Sequence, residues 1–252
     1  MKFIRFLSKE KPVYGLVEGE SVTQIEGSPF TQYVVTNIKF DLLKLKILPP
    51  CEPSKIIGIA LNYRKHAEQI GKGLPEEPEF FIKPSTAVIG HEEKIIYPKI
   101  TKKLGFEAEL AVVIKKKAKD LSEEEAMDYV LGYTCFNDVS ARDIQDKERH
   151  RTRAKSFDTF APTGPFLVTD INPSNLAIKS YLNGCICQSS TTEQLIFSVK
   201  KLMSFVSQSL TLLPGDLIAT GTPENTGLMV PGDTIEVEVE QVGRLRNYVV
   251  SP

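Results

Sequence analysis

The chain is poor in histidine and cysteine, carries almost no net charge and has no apolar run long enough to cross a bilayer. Each shortage excludes something. Three histidines, His66, His91 and His150, form neither HxH nor HExxH, so a zinc site built on imidazoles lacks its ligands, and His91 and His150 read as surface residues. Four cysteines, Cys51, Cys135, Cys185 and Cys187, show no CxxC and read as reduced thiols of a cytoplasmic protein. Lys2 and Arg5 interrupt the apolar residues of Met1 to Leu7, which leaves no signal-peptide core. A net charge of -1 speaks against nucleic acid or a membrane surface as partner and leaves small neutral or acidic ligands open. Also missing are a GxGxxG turn after a strand, a GxxxxGK[ST] loop and a GxSxG elbow, which weakens nucleotide-dependent and serine-hydrolase chemistry.

What is present suits an ordinary globular protein: 252 residues, 41% hydrophobic and 25% charged, enough for one large domain or a domain with an appendage. Short β-like runs at Lys2 to Leu7, Val13 to Val17 and Val22 to Ile25 suggest a small N-terminal β domain over residues 1–50. Pro49, Pro50 and Pro53 then mark a boundary, after which residues 51–252 form the main domain. Strands are expected at Lys55 to Ala60, Phe80 to Lys83, Phe106 to Ile114 and Gly132 to Phe136. Helices are expected at Asn62 to Gly71 and after the capping box of Ser122 and Glu125. Asn183-Gly184 signals a type I′ hairpin, and Pro214-Gly215-Asp216 and Pro231-Gly232-Asp233 read as turns that lead into strands. Strands outnumber helices without βαβ alternation, so a doubly wound sheet is not expected.

Glu107 and Glu109 stand two apart on an expected strand, and a period of two aims both carboxylates at one face. They either face water or share a cation. Water suits the alternating Glu236, Glu238 and Glu240, whereas the strand of Glu107 continues as Ala111-Val112-Val113-Ile114, apolar on the glutamate face too. Unpaired carboxylates beside a buried stretch are costly. Asp138 follows the apolar run ending at Phe136 and is either a helix N-cap or a third ligand; Ser140 reads as a cap, with Asp143 supporting the first turn. Carboxylates without nitrogen or thiolate ligands point to a hard cation, Mg²⁺ or Mn²⁺ first and Ca²⁺ second.

Four motifs then carry a resemblance: Glu107-Ala-Glu109-Leu-Ala-Val-Val-Ile, Asn137-Asp138-Val-Ser-Ala-Arg142-Asp-Ile-Gln145-Asp, Lys155-Ser-Phe and Thr220-Gly-Thr222-Pro. In this order, from about Lys55 to the C-terminus, the chain resembles the fumarylacetoacetate hydrolase family, in particular its 2-hydroxyhepta-2,4-diene-1,7-dioate isomerase-like members. The resemblance implies an α+β fold with a mixed, rolled β-sheet core, few helices and a small N-terminal β domain, assembled as a homodimer. It implies Glu107, Glu109 and Asp138 as metal ligands, Arg142, Gln145 and Thr222 around a bound 2-oxo or enol carboxylate, Lys155 beside the developing oxyanion, and His66 as general base. If Asp138 opens a helical turn, Arg142 and Gln145 follow on the same face, and Arg142 can grip a carboxylate as a fork.

Many relatives place a glutamate three residues after the histidine; here that position is Gln69, and Glu68 is on the wrong face to replace it. The departure favours isomerisation, tautomerisation or decarboxylation, such as occurs in aromatic catabolism, over hydrolytic cleavage of an acylpyruvate or other 1,3-dicarbonyl acid. Residues Gly71 to Pro78 can serve as a lid hinge or as an ordinary loop. Two other classes stay open: a Mg²⁺ enzyme acting on phosphate esters, and a non-catalytic metal-stabilised binding protein.

Overall fold

The computed structural model describes residues 1–148 and 150–252. Four N-terminal strands, β1 (Lys2–Ser8), β2 (Lys11–Glu18), β3 (Ser21–Gly27) and β4 (Tyr33–Asp41), precede the short β5 (Ile47–Leu48). Next come β6 (Lys55–Ala60), the helix α1 (Arg64–Gln69), β7 (Glu79–Pro84), β8 (Val88–Ile89), β9 (Lys94–Ile96) and β10 (Leu104–Gly105). The centre holds β11 (Ala108–Ile114), β12 (Val130–Asn137), β13 (Ser140–Ala141), α2 (Arg142–Lys147), α3 (Thr152–Lys155) and β14 (Ala161–Val168). Last are β15 (Ala177–Leu182), β16 (Cys185–Thr191), α4 (Val199–Ser209), β17 (Leu217–Ala219), β18 (Leu228–Met229), β19 (Thr234–Val239) and β20 (Gly243–Val250).

These strands form a mixed sheet in the order β4-β3-β2-β1-β14-β12-β11-β17-β6-β7, a second sheet β16-β15-β19-β20-β9 and a small sheet β13-β10-β18. The N-terminal strands are continuous with the main sheet, because β1 pairs with β14. No helix among the described residues is long and apolar enough to cross a membrane.

Alternation along β11 shows why the sheet is buried on both faces. Leu110, Val112 and Ile114 pack with Ile178, Val237, Val239 and Leu245 of the second sheet and with Val206 of α4. Ala111 and Val113 point the other way, into a cluster with Phe3, Ile56, Leu217 and Phe136. Odd-numbered positions of β11, the set to which Glu109 belongs, therefore face protein and not water.

The expected strands and the Asn183-Gly184 turn are present, with φ of 51° and 80° at the two turn residues and Leu182 opposite Cys185. Two helical expectations change. Ser122 and Glu125 exchange their capping-box bonds, yet the chain makes only turns and one 3-10 turn at Ala126–Tyr129 before β12 begins. The longest helix, α4, carries buried Val199, Leu202, Met203 and Val206 at amphipathic spacing, a pattern to which the sequence reading assigns no element. Strands β4 and β14 are likewise additions.

Both Pro-Gly-Asp turns close on their aspartate, since Asp216 accepts from Leu213 N–H at 2.8 Å and Asp233 from Val230 N–H at 2.7 Å. Asp216 does more: wholly buried, it also accepts from Ser54 N–H at 2.9 Å, Ser54 Oγ at 2.7 Å and Lys55 N–H at 3.2 Å, and pairs with Lys55 Nζ at 2.5 Å. It thereby sets the parallel register of β17 on β6. Asp216→Ala would leave several partly buried donors unmatched and Lys55 without its partner, and we expect it to lower the unfolding free energy by about 3 kcal/mol. Urea unfolding checks this; a midpoint within error of the wild type refutes the role.

Candidate active site

The site begins where the β11–β12 ladder ends. Ala108 lies opposite Asn137 and Glu109 opposite Phe136, so Glu107 and Asp138 are neighbours one step beyond the last pair. Asp138 N–H donates to the Glu107 carbonyl at 2.9 Å, and Glu107 N–H donates to Asn137 Oδ1 at 3.1 Å, closing the end. Carboxylate oxygens of Glu107, Glu109 and Asp138 all lie within 4.8 Å of one another, and the residues are 7%, 1% and 1% exposed. That burial decides against solvent-facing glutamates.

Asp138 is not a helix cap. Val139 N–H turns back to the Asn137 carbonyl at 3.0 Å, and the Ser140 hydroxyl donates to the Asp138 carbonyl at 3.0 Å. The cap expected at Ser140 is therefore corrected: Ser140 pairs with Gly105 in the small sheet, and α2 starts at Arg142 after Ala141 without a side-chain cap. Asp143 accepts instead from Lys102 N–H at 3.0 Å and from the Thr101 hydroxyl. Arg142 and Gln145 reach the cleft by their own spacing on α2, not through a turn opened by Asp138.

Three cations face the carboxylates unevenly. Lys155 Nζ, 2% exposed at the end of α3, donates to Glu107 Oε2 at 2.7 Å and Asp138 Oδ2 at 2.5 Å. Lys83, wholly buried on β7, pairs with Asp138 Oδ1 and donates to the Val139 carbonyl at 3.1 Å. Arg142 Nη1 meets Glu107 Oε1 at 2.6 Å. Glu109 receives only the Gly221 N–H, at 2.8 Å, and no ion pair among the described residues.

Burial raises the Glu107 carboxyl, but Arg142 and Lys155 outweigh it and hold the group well below the usual range. Burial, then the charges of Asp138 and Glu107, push Glu109 well above that range. Burial lowers Lys83, against the pull of Asp138. An all-oxygen set with one buried carboxylate left uncompensated fits a hard divalent cation held by Glu107, Glu109 and Asp138.

Above it opens a cleft of about 640 Å³ lined by His66, Arg142, Gln145, Lys155 and Thr222 together with Glu107 and Glu109. Thr222 arrives because the chain leaving β17 runs on beside β11, with Thr220 N–H on the Leu110 carbonyl at 3.0 Å. Gly221 has φ of +99°, and a Cβ there would meet the Asn62 side chain at 2.8 Å, so this step of the motif requires glycine.

The Thr222 hydroxyl donates to the Ala108 carbonyl and accepts from Gln188 Nε2, both at 2.9 Å, which leaves one lone pair and the methyl for a ligand. Arg142 Nη2 is buried without a partner. Gln145 Oε1 accepts from Arg142 Nη1 at 3.4 Å, leaving the amide nitrogen free to face the cleft. Burial lowers the His66 pKa, countered first by Glu107 and reinforced by Arg142.

All eight residues singled out in the sequence thus converge on one site. His91 and His150 do not join it: His150 is exposed, and half-buried His91 accepts from Arg246 N–H at 3.0 Å. Sequence reasoning missed Lys83, although it shares the inward face of β7 with Phe81, and Gln188, for which the pattern of β16 carries no signal.

A buried carboxylate trio that could hold a cation lies beneath an arginine with an unpartnered donor. The chain belongs to the fumarylacetoacetate hydrolase family, a family of enzymes: residues 55–250 match Fumarylacetoacetate (FAA) hydrolase C-terminal, and residues 1–50 match Rv2993c-like, N-terminal. It is similar to oxaloacetate tautomerase fahd2, mitochondrial, of Xenopus laevis, 38% identical over 246 residues that cover 92% of this chain and 76% of that one. The crystal structure of 5-carboxymethyl-2-hydroxymuconate delta-isomerase from Mycobacterium smegmatis superposes with a TM-score of 0.94 at 38% identity, covering 100% of both chains. Maleylpyruvate hydrolase from Sphingobium sp. SYK-6, in complex with manganese(II) and pyruvate, gives 0.83 at 27% identity, covering 100% of this chain and 99% of that one.

Glu109→Gln removes a buried charge that lacks a cationic partner. In EDTA the variant should melt no lower than wild type, while the rise in melting temperature that Mn²⁺ gives wild type should vanish. An unchanged Mn²⁺ response in the variant would exclude Glu109 as a ligand.

Proposed function

We propose that this enzyme isomerises, tautomerises or decarboxylates a small 2-oxo or enol carboxylate with the help of a divalent cation, Mg²⁺ or Mn²⁺. The observation that carries the reading is Arg142: one arm of its guanidinium is fixed on Glu107, while Nη2 is buried in the cleft without an acceptor. A substrate carboxylate supplies that acceptor with the charge and planar geometry that guanidinium favours. Gln145 and the remaining lone pair of Thr222 flank the same volume and orient the acid.

When bound by Glu107, Glu109 and Asp138, the cation supplies a Lewis acid that draws electron density towards the substrate's keto oxygen. Lys155 keeps Glu107 and Asp138 in place with two of its three donors, and its remaining N–H can serve the developing oxyanion. His66 is the imidazole of the cleft and has a lowered pKa, so it is neutral near pH 7 and can take a proton from the carbon beside the keto group and return it elsewhere. One such group suffices for keto-enol exchange or double-bond migration. Hydrolysis needs a positioned water as well, and Gln69, three residues after His66, has its amide committed to Asn225. The similarity to a tautomerase and a delta-isomerase supports the same choice. Residues 71–78, largely exposed, border the mouth through Lys72, and we read them as the lid hinge.

Oxaloacetate, acylpyruvates and unsaturated 2-hydroxy dioates, assayed with Mg²⁺, Mn²⁺ and EDTA, test the reading. We expect enol–keto exchange or decarboxylation without cleavage to two acids, abolished by EDTA. Arg142→Lys keeps a charge for Glu107 but loses the fork, and kcat/KM should fall about 10- to 100-fold. Because the folded-state pKa of His66 is depressed, activity should decline on acidification only below the ordinary histidine range near 6.5, as the imidazole becomes protonated. Turnover that survives chelation overturns the proposal.

A further inference from the structure

His66 lies between two residues of α1 that face the same loop. Tyr63, at the N-cap, precedes His66 by one turn, and Gln69 follows it by one turn, so neighbouring faces of the helix present the three side chains in a row. Opposite runs the segment after the Thr222-Pro223 step. Gln69 clasps it twice, donating from Nε2 to Asn225 Oδ1 at 2.9 Å and accepting from Asn225 N–H at 3.0 Å. From the other side, Gln188 Nε2 donates to the Pro223 carbonyl at 2.8 Å and the Glu224 carbonyl at 3.3 Å. Glu224 is thereby held at a fixed position beside the row, one residue before the clasp.

Three buried polar atoms in this seam have no hydrogen-bond partner: Tyr63 Oη, His66 Nδ1 and Glu224 Oε2. Buried polar groups in folded proteins are nearly always matched, and an isolated void with several such atoms holds a bridging water or a pair that closes. The charged groups that face the imidazole are Glu107, Arg142 and Glu224. Glu107 and Arg142 are ion-paired with each other at 2.6 Å, whereas Glu224 forms no ion pair among the described residues.

We propose that Glu224 is the positioning residue of His66, accepting from Nδ1–H directly or through one water and so leaving Nε2 as the proton-transferring atom towards the cleft. The proton on Nδ1 does not move; Nε2 takes the substrate proton, the resulting imidazolium is stabilised by Glu224, and Nε2 gives the proton back. Through the Asn225 clasp Gln69 holds the segment that presents a carboxylate to the imidazole, which Glu68 of α1 cannot do from its own face. The inference rests on the reading of His66 as the base, yet its test does not need turnover.

Nitrogen-15 NMR of the imidazoles, on the whole protein with saturating Mg²⁺, reads tautomer and titration together. Three histidines give three pairs of ring-nitrogen signals, and His66→Asn assigns the pair that matters. In wild type we expect neutral His66 to carry its proton on Nδ1; in Glu224→Gln the midpoint should fall by about half a unit to one unit, as expected for loss of a nearby opposite charge. Asn225→Gly, which removes the side-chain arm of the clasp, keeps the positive φ of that position and touches neither Gln69 nor the carboxylate, should move the midpoint part of the way. Where a 2-oxo acid is turned over, Glu224→Gln should lower kcat about tenfold with KM unchanged, and Glu224→Asp should recover part of it. Unchanged tautomer and midpoint in both variants overturn the pairing even if turnover is found. A His66 shift that follows Glu224 in a protein that turns over no acid of the panel upholds the pairing while the substrate reading falls.

Discussion

Three buried carboxylates within 4.8 Å of each other are the constraint on which the rest of this structure depends. Such a cluster repels itself and costs on the order of several kcal/mol unless positive charge is brought to it. Lys155, Lys83 and Arg142 neutralise Glu107 and Asp138. Their side chains come from α3, β7 and α2, so three separate elements must close on the end of one strand pair. Glu109 stays outside that arrangement, an asymmetry that a self-contained ion-pair network would not need and that a bound cation would relieve.

The sheets make the cluster tolerable by fixing its backbone. Antiparallel register places Glu107 beside Asp138, and the Asn137 side chain and the Asp138 N–H close the two chain ends on each other. Continuation of the β17 strand along β11 then delivers the Gly221 N–H to Glu109 and the Thr222 hydroxyl to Ala108. Main-chain geometry, rather than long flexible side chains, thus sets the ligand spacing, which is how a buried site keeps its shape without large losses of side-chain entropy.

Much of this was legible in the sequence, for physical reasons that differ from residue to residue. A period of two aligned Glu107 with Glu109, and the apolar residues that follow revealed a strand buried on both faces. The Asn183-Gly184 hairpin and the Pro-Gly-Asp turns were readable because positive φ has few residue solutions. Caps were harder: Ser140 has a good N-cap residue's chemistry, but a cross-strand pair with Gly105 fixes its backbone first. The Ser122 box forms its bonds and still does not propagate a helix, since a capping motif satisfies donors without supplying an apolar face. In α4 that face exists, in Val199, Leu202, Met203 and Val206, and it carries the helix with only Ser198 as its cap. Lys83 escaped because a lysine in a strand is ordinarily solvated, and only the three-dimensional position of Asp138 reverses that default.

Gln188 belongs to β16, the outer strand of the second sheet, yet its side chain touches Ala108 N–H at 3.0 Å, the Thr222 hydroxyl and the Pro223 carbonyl. One amide therefore joins the strand of the glutamates to the loop that forms the opposite wall. The two sides of the cleft are thus tied to each other from a peripheral strand that contributes no residue to the cleft lining itself.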